Sequence, residues 1–362
     1  MRILIIGPGK LKYMPYLHFY LDNMDRGAND IHVAYWNRDE KSEDISSYNG
    51  LILHEFKCFM VNDAPLKVKF KMFKKYRGFC KEILKRNSFD RLIILHTLPG
   101  LMLFDSLVGR YKNKYILDYR DSTYETKSFF RFLVGRLVKC SYCTFVSSDD
   151  FRRYLPETER KKTYTSHNLL EDSLNHRDYT KIKSERIRLA FWGFVREIEV
   201  NKQIIDKISQ DLRFELHFYG REQYDALELK KYTMHIGASN IFFHGEYTPD
   251  ERYYFVEETD LIHNLFGKDN RNMSFAMSNK YYDSIIFRIP QVCQIGSFMG
   301  KMCTEHEVGI MVDPSEIDFC DRLYSYYKGL DWSNFIASCD KELDRVLCEY
   351  NKGKGIIASF LK

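Results

Sequence analysis

A small polar turn, a lysine and a carboxylate follow one another at the start of a predicted helix near residue 280. Ser278 and Asn279 form the turn. Lys280 comes next, and Asp283 lies three residues after it on the same first turn. A helix N-terminus carries partial positive charge and unpaired N–H groups, which suit a diphosphate. The lysine adds a point charge for phosphate oxygens, and the acid can accept hydrogen bonds from hydroxyls. This combination is what a nucleotide-sugar site needs.

A glycine turn earlier in the same half of the chain brings two further cations. Gly193 follows a predicted strand, Arg196 stands three residues later and Lys202 six residues after that. Glycine lets the backbone approach a ligand closely, and the two cations can neutralise a diphosphate leaving group. Together with Lys280, these residues predict a diphosphate site in the second half of the chain.

Gly245 and Tyr247 follow another predicted strand of the second half. A nucleotide base could dock edge-on to this backbone turn, with Tyr247 alongside it. The alternative is a plain strand-to-helix turn in which Thr248 caps the helix and Pro249 is its first residue. Both interpretations can hold at once.

The first half of the chain contains two candidate residues that could orient or deprotonate an acceptor hydroxyl. Asp121 lies furthest beyond the strand that ends in Asp118-Tyr119-Arg120, and it could take the proton of the hydroxyl or hold the hydroxyl in place. Arg120 could pair with either acid, and a structural ion pair is the commoner fate of such a trio. His96 ends a neighbouring strand and is a second candidate, as a proton carrier or a hydrogen-bond donor to a sugar. A single histidine at a strand end is more often a satisfied polar group.

The glycines after the first strand do not complete a dinucleotide-binding motif. Gly7 and Gly9 are present, but Lys12 stands where the fingerprint needs its third glycine. We therefore expect a tight turn here and no NAD.

Length and composition indicate a cytosolic protein of two domains. The chain has 362 residues, 44% of them hydrophobic, and lacks an apolar run of eighteen residues, so we expect no transmembrane helix. The apolar start is followed at once by glycine, which favours a strand over a signal peptide. The nine cysteines are scattered and lack zinc-site spacing, so we expect reduced thiols and no metal.

The formal net charge of +5 is unevenly distributed along the chain. Residues 1–180 hold 31 Lys+Arg and 22 Asp+Glu, giving +9, and the remainder holds 24 and 28, giving −4. The densest cluster, residues 67–86, interleaves lysines with apolar residues at helical spacing. It predicts either a helix on an anionic membrane surface or a solvated helix whose apolar face meets the core. We expect no nucleic acid, because no binding motif is present. The lysines predicted to meet the membrane are Lys67, Lys71, Lys74, Lys75 and Lys81.

Strands alternate with helices in both halves, which predicts two doubly wound, Rossmann-like domains facing a cleft. We place the acceptor-side domain at residues 1–175, a linker at 176–186, the donor domain at 187–345 and a C-terminal crossing helix at 346–362. Every motif described above lies at the carboxyl end of a predicted strand, where open α/β sheets bind ligands.

These motifs resemble the GT-B glycosyltransferases, and among them the family 4-like enzymes of bacterial surface polysaccharide synthesis. The resemblance extends over almost the whole chain and rests on residues 193–202, 218–220, 243–247, 279–283 and 289–292. It implies a GT-B fold and a nucleotide sugar as co-substrate, with neither cofactor nor metal.

The resemblance also implies roles for single residues. Arg196 and Lys202 would contact the donor diphosphate, and Asp283 would hold ribose or sugar hydroxyls. The segment ending at Asp121 resembles the family's Arg-Asp segment on the acceptor side. One departure is clear, because Phe275 stands where the family's first acid is expected.

We therefore predict a retaining hexosyl-type glycosyltransferase that moves a sugar from a nucleotide-diphosphate donor to a lipid-linked or oligosaccharide acceptor. Its setting would be capsule or O-antigen synthesis in a bacterium, with the protein in the cytoplasm and peripherally bound to the inner face of the membrane. Two alternatives stay open. One is a nucleotide-sugar epimerase of the same fold, and the other is a non-catalytic module of polysaccharide assembly.

Overall fold

The computed structural model divides into two compact units. The first comprises Met1–His167 with Cys348–Lys362, and the second comprises Asn168–Leu347. Residues 168–186 thus belong to the second unit, whereas the sequence placed a domain end at 175 and a linker after it. The structure describes residues 1–61, 64–122, 124–220, 224–248, 251–267 and 274–362.

The first unit is built on a parallel sheet with the strand order β3-β2-β1-β4-β5-β6-β7. The order reverses between β1 and β4, and ligands of such sheets bind beside that reversal, at the carboxyl ends of the strands. The strands are β1 (Arg2–Ile6), β2 (Asp30–Asn37), β3 (Ile52–Lys57), β4 (Arg91–Leu95), β5 (Tyr115–Tyr119), β6 (Cys143–Val146) and β7 (Thr163–Thr165).

The α-helices of the first unit connect these strands. The sequence predicted one helix over 13–23, but the structure has two short 3-10 helices, Leu11–Tyr13 and Pro15–Leu17, followed by a single α-helical turn. Proline disfavours a helical backbone at the residue before it, and Met14 has φ −123° and ψ 57°, so the helix is interrupted there. The helices are α1 (His18–Leu21), α2 (Leu66–Arg86), α3 (Thr97–Met102), α4 (Phe104–Val108) and α5 (Ser128–Cys140).

The second unit repeats the same topology with the strand order β10-β9-β8-β11-β12-β13, again parallel. Here the order reverses between β8 and β11. Both strands are buried along their whole length, as expected for a sheet covered on two faces. The strands are β8 (Ile187–Trp192), β9 (Phe214–Tyr219), β10 (Ile241–Gly245), β11 (Leu261–Asn264), β12 (Gln291–Gln294) and β13 (Gly309–Val312).

Helices of the second unit include two that the sequence pattern did not predict, α7 and α10. The last helix, α12, begins in the second unit, but its residues from Cys348 onward belong to the first unit. Gly353, in that later part, packs close to Phe19 within the first unit's core. A Cβ on Gly353 would lie 2.8 Å from the Phe19 Cζ. The helices are α6 (Ile198–Ser209), α7 (Tyr224–His235), α8 (Arg252–Val256), α9 (Asn279–Phe287), α10 (Phe298–Glu305), α11 (Phe319–Lys328) and α12 (Trp332–Phe360).

The basic helix α2 packs most of its apolar face on the first unit's core. Met72, Tyr76, Cys80, Ile83 and Leu84 are buried. The membrane interpretation therefore cannot rest on those residues. Within the described part of the chain, none of the helices combines the length and the apolar character that a membrane span requires.

Candidate functional site

The glycine turn after β8 is hydrogen-bonded to the end of β9, and the residue after β9 is hydrogen-bonded in turn to the end of β10. The Gly193 N–H donates to the Tyr219 carbonyl at 2.9 Å, and the Gly220 N–H donates to the Gly245 carbonyl at 2.8 Å. Gly193 has φ +123°, which favours glycine. A Cβ on Gly220 would lie 1.6 Å from the Gly193 oxygen, so this close approach requires glycine. These contacts fix the carboxyl ends of β8, β9 and β10 to one another beside the strand-order reversal.

Lys280, on the first turn of α9, is only 5% exposed. Its ammonium lies 3.5 Å from the centre of the Phe191 ring and 4.9 Å from that of Phe266. Burial, and secondly the charge of Arg196, lower the pKa of Lys280 well below its usual range. The structure thus brings together Lys280, the Gly193 turn and Arg196, as predicted for an anion site, and an anion would offset the cost of burying this charge.

Ser278 precedes α9 but does not cap it. Its hydroxyl donates instead to Asn264 Oδ1 at 2.9 Å, and the Asn264 amide donates to Gln291 Oε1 at 2.9 Å. Ser278 is therefore fixed to β11 and β12, and the first N–H groups of α9 have no bond from its side chain. Asn279 is exposed at the helix start. This geometry leaves the positive end of α9 suited to an anion.

Asp283 is buried and paired with Arg252, a residue that the sequence analysis did not single out. Arg252 Nη1 donates to Asp283 Oδ1 at 3.1 Å, and Arg252 Nη2 donates to Ser173 Oγ at 2.5 Å. Burial raises the pKa of Asp283, and Arg252 opposes that rise. Tyr247 packs edge-on against Phe255, and burial raises the pKa of its hydroxyl to about 12. A ligand hydroxyl at Asp283 would share the carboxylate with Arg252.

Lys202 lies on α6 and forms an ion pair with α7. Its Nζ is 2.9 Å from Glu228 Oε1, and this hydrogen bond raises the pKa of Lys202. The ammonium also lies 5.4 Å from the Tyr232 ring centre. A diphosphate at Lys202 would share the ammonium with Glu228, a partner twenty-six residues away that spacing alone could not reveal.

In the first unit the structure brings His96 and Asp121 together, at the carboxyl ends of β4 and β5. His96 Nε2 lies 3.4 Å from Asp121 Oδ2. His96 Nδ1 accepts a bond from the Leu98 N–H at 3.4 Å, which leaves the ring proton on Nε2, facing Asp121. His96 has φ +80°, an unusual backbone for a residue with a side chain, and Asp121 is 54% exposed. The histidine can therefore hold an accessible carboxylate in a fixed direction.

Asp118 and Arg120 form the structural ion pair that the sequence left open. The Arg120 Nε donates to Asp118 Oδ2 at 2.9 Å, and both side chains are buried. The guanidinium also lies 3.8 Å from the Tyr16 ring centre and donates to Ser166 Oγ at 3.1 Å. Burial raises the pKa of Asp118, and Arg120 opposes that rise. This pair supports the segment that carries Asp121.

A turn is present at Thr248, where the Glu251 N–H donates to the Thr248 carbonyl at 3.1 Å. The predicted cap at Thr248 is wrong, because the N-cap of α8 is Glu251, which makes no side-chain cap bond. Pro249 lies outside the described residues. The Thr248 N–H donates to Glu251 Oε2 at 2.6 Å. Among the described residues, no group of three or more His, Cys, Asp or Glu side chains is placed to share a metal ion. The expectation of a reaction without metal or cofactor stays a prediction.

Comparisons with solved structures identify the fold. A sucrose-phosphate synthase from Thermosynechococcus elongatus superposes with a TM-score of 0.72 at 10% identity, covering 100% of this chain and 97% of that chain. A glycosyltransferase from Rickettsia africae gives 0.71 at 11%, covering 100% and 98%. A UDP-GlcNAc 2-epimerase from Neisseria meningitidis, bound to UDP-GlcNAc, gives 0.64 at 11%, covering 96% and 100%.

The chain has the GT-B fold of two Rossmann-like units, as the resemblance in its sequence predicted. No family model matches the sequence, and no curated protein matches it. At these identities the comparisons define the fold alone.

Proposed function

We propose that the protein is a glycosyltransferase that moves a sugar from a nucleotide-diphosphate donor to an acceptor hydroxyl. The observation that carries the proposal is the cationic cluster in the second unit, where Lys280, Arg196 and the start of α9 meet beside the strand-order reversal. Negative charge grows on the diphosphate as the sugar leaves, and fixed cations and N–H groups stabilise that charge most in a buried site.

The acceptor would be activated in the first unit by Asp121. The carboxylate would accept the hydrogen bond of the acceptor hydroxyl, and His96 would hold the carboxylate through its Nε2–H. The resemblance to family 4-like enzymes leads us to propose retention of the anomeric configuration. It also leads us to propose a lipid-linked or oligosaccharide acceptor in bacterial cell-surface polysaccharide synthesis, such as capsule or O-antigen. We propose that the reaction needs neither metal nor cofactor.

The first experiment is ligand-observed NMR of the purified protein with UDP-, GDP-, CMP- and dTDP-sugars, with NAD as a control. We expect saturation transfer to one nucleotide sugar and its loss in Lys280→Ala. Lys301→Ala is the matched control, because Lys301 is an exposed lysine on α10 that forms an ion pair with Glu305 of the same helix at 3.6 Å. Full transfer activity in Lys280→Ala would contradict the assignment, and binding of NAD alone would contradict the proposed donor class.

The alternative of a nucleotide-sugar epimerase is supported by the similarity of the fold to the Neisseria epimerase. The two reactions differ in the fate of the nucleotide. A transferase releases nucleoside diphosphate only when an acceptor is present, whereas an epimerase changes the sugar while the nucleotide stays attached. Proton NMR of the donor after incubation without acceptor separates them.

The alternative of a non-catalytic module is supported by Phe275, which replaces the family's first acid. It predicts donor binding without turnover of any acceptor. Introducing the acid by Phe275→Glu would then be expected to leave the protein inactive, whereas a working transferase would change its rate or its choice of donor sugar. The measurement is release of nucleoside diphosphate by both proteins.

We further propose that the first unit rests on the anionic inner face of the membrane through the N-terminal ends of α2 and α5. Both ends follow strands, so both lie at the carboxyl edge of the sheet. Phe70 on α2 is 76% exposed and Phe129 on α5 is 73% exposed, and Leu66, Val68 and Phe132 are also exposed. Exposed aromatic residues flanked by lysines bind lipid interfaces.

The lysines contribute unequally to this surface. Lys67, Lys71, Lys74 and Lys75 are exposed. Lys81, in contrast, forms an ion pair with Asp105. Flotation with phosphatidylglycerol vesicles is expected to fail when Phe70 and Phe129 are both replaced by Ser, and to weaken when Lys74 and Lys75 are neutralised. Equal flotation with neutral phosphatidylcholine vesicles, or of the double Ser variant, would contradict the proposal.

A further inference from the structure

His263 is a fully buried histidine inside β11 that the proposed chemistry does not use. It lies at the strand-order reversal, one strand from the Gly193 turn. Both ring nitrogens are hydrogen-bonded. Nδ1 accepts from the Leu265 N–H at 3.0 Å, and Nε2 lies 3.0 Å from Asn201 Oδ1. Because Nδ1 is an acceptor, the neutral ring carries its proton on Nε2 and donates it to Asn201. Burial lowers the pKa of His263, which keeps the ring neutral.

Asn201 is hydrogen-bonded both to His263 and to the loop that carries Arg196. Its amide nitrogen donates to the Arg196 carbonyl at 2.7 Å and to the Glu197 carbonyl at 3.1 Å. Glu197 has φ +68°, in the left-handed region that a residue with a side chain rarely adopts. Such a backbone persists only where its surroundings hold it, and the Asn201 amide supplies that hold.

His263 also fixes the loop that follows β11. Its bond to Leu265 sets the start of this loop, and the next residue, Phe266, contacts Lys280. A Cβ on Gly267 would lie 3.3 Å from Glu197 Oε2, so the two loops meet. The ring of His263 also packs edge-on against Phe191, at 5.3 Å and 75° between the planes. Phe191 in turn contacts the Lys280 ammonium.

We infer that His263 and Asn201 form a positioning pair. Together they fix the Arg196 loop and the residues around Lys280 in the arrangement that binds the donor diphosphate. The inference rests on the proposed function of this site. The pair touches no ligand itself. It acts on the diphosphate through Arg196 and Lys280, so its loss weakens recognition of the second phosphate more than recognition of the rest of the nucleotide.

The test compares a nucleoside diphosphate with the matching monophosphate by isothermal titration calorimetry. UDP, GDP, CDP and dTDP are first titrated into the wild-type protein, and the one that binds is used with its monophosphate. Asn201→Ala and His263→Phe are each expected to weaken the diphosphate about fivefold to tenfold, the effect of about one hydrogen bond, and to leave the monophosphate unchanged. The double variant is expected to lose no more than the single variants, because the two residues act as one unit.

A structural measurement distinguishes loss of the His263–Asn201 contact from general destabilisation of the fold. Nitrogen-15 NMR of the histidine rings is expected to show the His263 Nε2–H signal, and Asn201→Ala should shift it while thermal unfolding stays cooperative. His263→Gln, which keeps a side-chain donor, is expected to recover part of the diphosphate affinity lost in His263→Phe. Equal loss of monophosphate and diphosphate, or additive losses in the double variant, would overturn the inference and leave the proposed function standing. Failure of the wild-type protein to bind any of the four nucleotides would overturn both.

Discussion

The Lys280 ammonium lies against the face of the Phe191 ring, 3.5 Å from its centre, at the end of the strand next to the order reversal. The face of the ring attracts a cation, but this attraction is much weaker than the hydration energy that the ammonium loses on burial. The charged form of Lys280 is therefore unfavourable in the free protein, and a bound anion would stabilise it. Binding of the proposed donor would therefore compensate a buried charge, and its affinity would depend on pH in a measurable way.

We predict that diphosphate binding takes up a proton on Lys280. Burial lowers the pKa of Lys280 in the free protein, and a bound diphosphate raises it again. Affinity should therefore fall as pH rises between these two values, by at most about tenfold per pH unit for one proton. Calorimetry at and above neutral pH, in buffers of different ionisation enthalpy, measures the uptake. Lys280→Arg stays charged and should lose the dependence, and the same slope in that variant would contradict the prediction.

We predict that Asp121→Asn lowers kcat by about 10²–10⁴, the usual range for loss of general acid–base catalysis, and leaves donor affinity unchanged. The amide keeps the shape of the side chain but cannot take the acceptor proton. Glu157, an acid of the first unit that is 82% exposed and pairs with Arg160 at 3.1 Å, provides the control variant Glu157→Gln, which should keep full activity. A fall in donor affinity that matches the fall in rate would point to a structural role for Asp121.

Much of the fold could be predicted from the sequence, because its strands are short apolar runs that end in glycine or polar residues. The placement of Lys280, Arg196 and the Gly193 turn in one region followed from the same rule, since carboxyl ends of parallel strands share an edge. The helices α7 and α10 were missed, and so was the three-residue strand β7. Such short or weakly amphipathic segments depend on tertiary contacts more than on local pattern.

Side-chain partners were the part that the sequence could not provide. The role of Asp283 in holding hydroxyls stays a prediction, and its ion pair with Arg252, thirty-one residues away, was not predicted. The role of Lys202 at the diphosphate also stays a prediction, and its ion pair with Glu228 on a second helix was not predicted. His263 was not singled out from the sequence, because it lies within an apolar strand, and only its two ring contacts distinguish it. Pairing of this kind depends on the packing of helices, which periodicity does not determine.

We predict that Asp260→Asn destabilises the second unit by about 3–5 kcal/mol, as expected when one partner of a buried ion pair is removed. Arg188 Nε lies 2.9 Å from Asp260 Oδ2, Lys181 Nζ lies 3.0 Å from Oδ1, and the Tyr327 hydroxyl donates to Oδ1 at 3.0 Å. Burial raises the pKa of Asp260, but these cations outweigh it and hold the pKa below its usual range. Urea unfolding measures the loss.

A surface ion pair provides the comparison for Asp260. Asp321 is exposed and lies 2.6 Å from Arg213 Nη2. Asp321→Asn should cost less than about 1 kcal/mol, because solvent screens exposed pairs. Equal losses in the two variants would mean that the Asp260 network contributes no more than a surface contact.

We predict that stability falls as the pH drops below about 6.5, the ordinary pKa of histidine. Several folded histidines have a pKa lowered by burial, so the folded state stays neutral while the unfolded chain takes up protons in this window. Protonation then favours unfolding, and stability rises with pH up to about 6.5. Thermal unfolding on either side of that pH should be less pH-dependent in His263→Gln. The histidines concerned are His32, His54, His217, His244 and His263.

We predict that Gly220→Ala abolishes diphosphate binding, although Gly220 carries no functional group. The added methyl would lie 1.6 Å from the Gly193 carbonyl oxygen, which is backbone and cannot rotate away. The Gly193 turn must therefore move, and with it the loop that carries Arg196. Gly355→Ala is the matched control, because a Cβ there meets no atom within 4 Å and alanine favours the helix. Calorimetry should detect no diphosphate binding to Gly220→Ala and unchanged binding to Gly355→Ala. If Gly220→Ala folds cooperatively and still binds with full affinity, the position of the Gly193 turn does not determine recognition of the diphosphate.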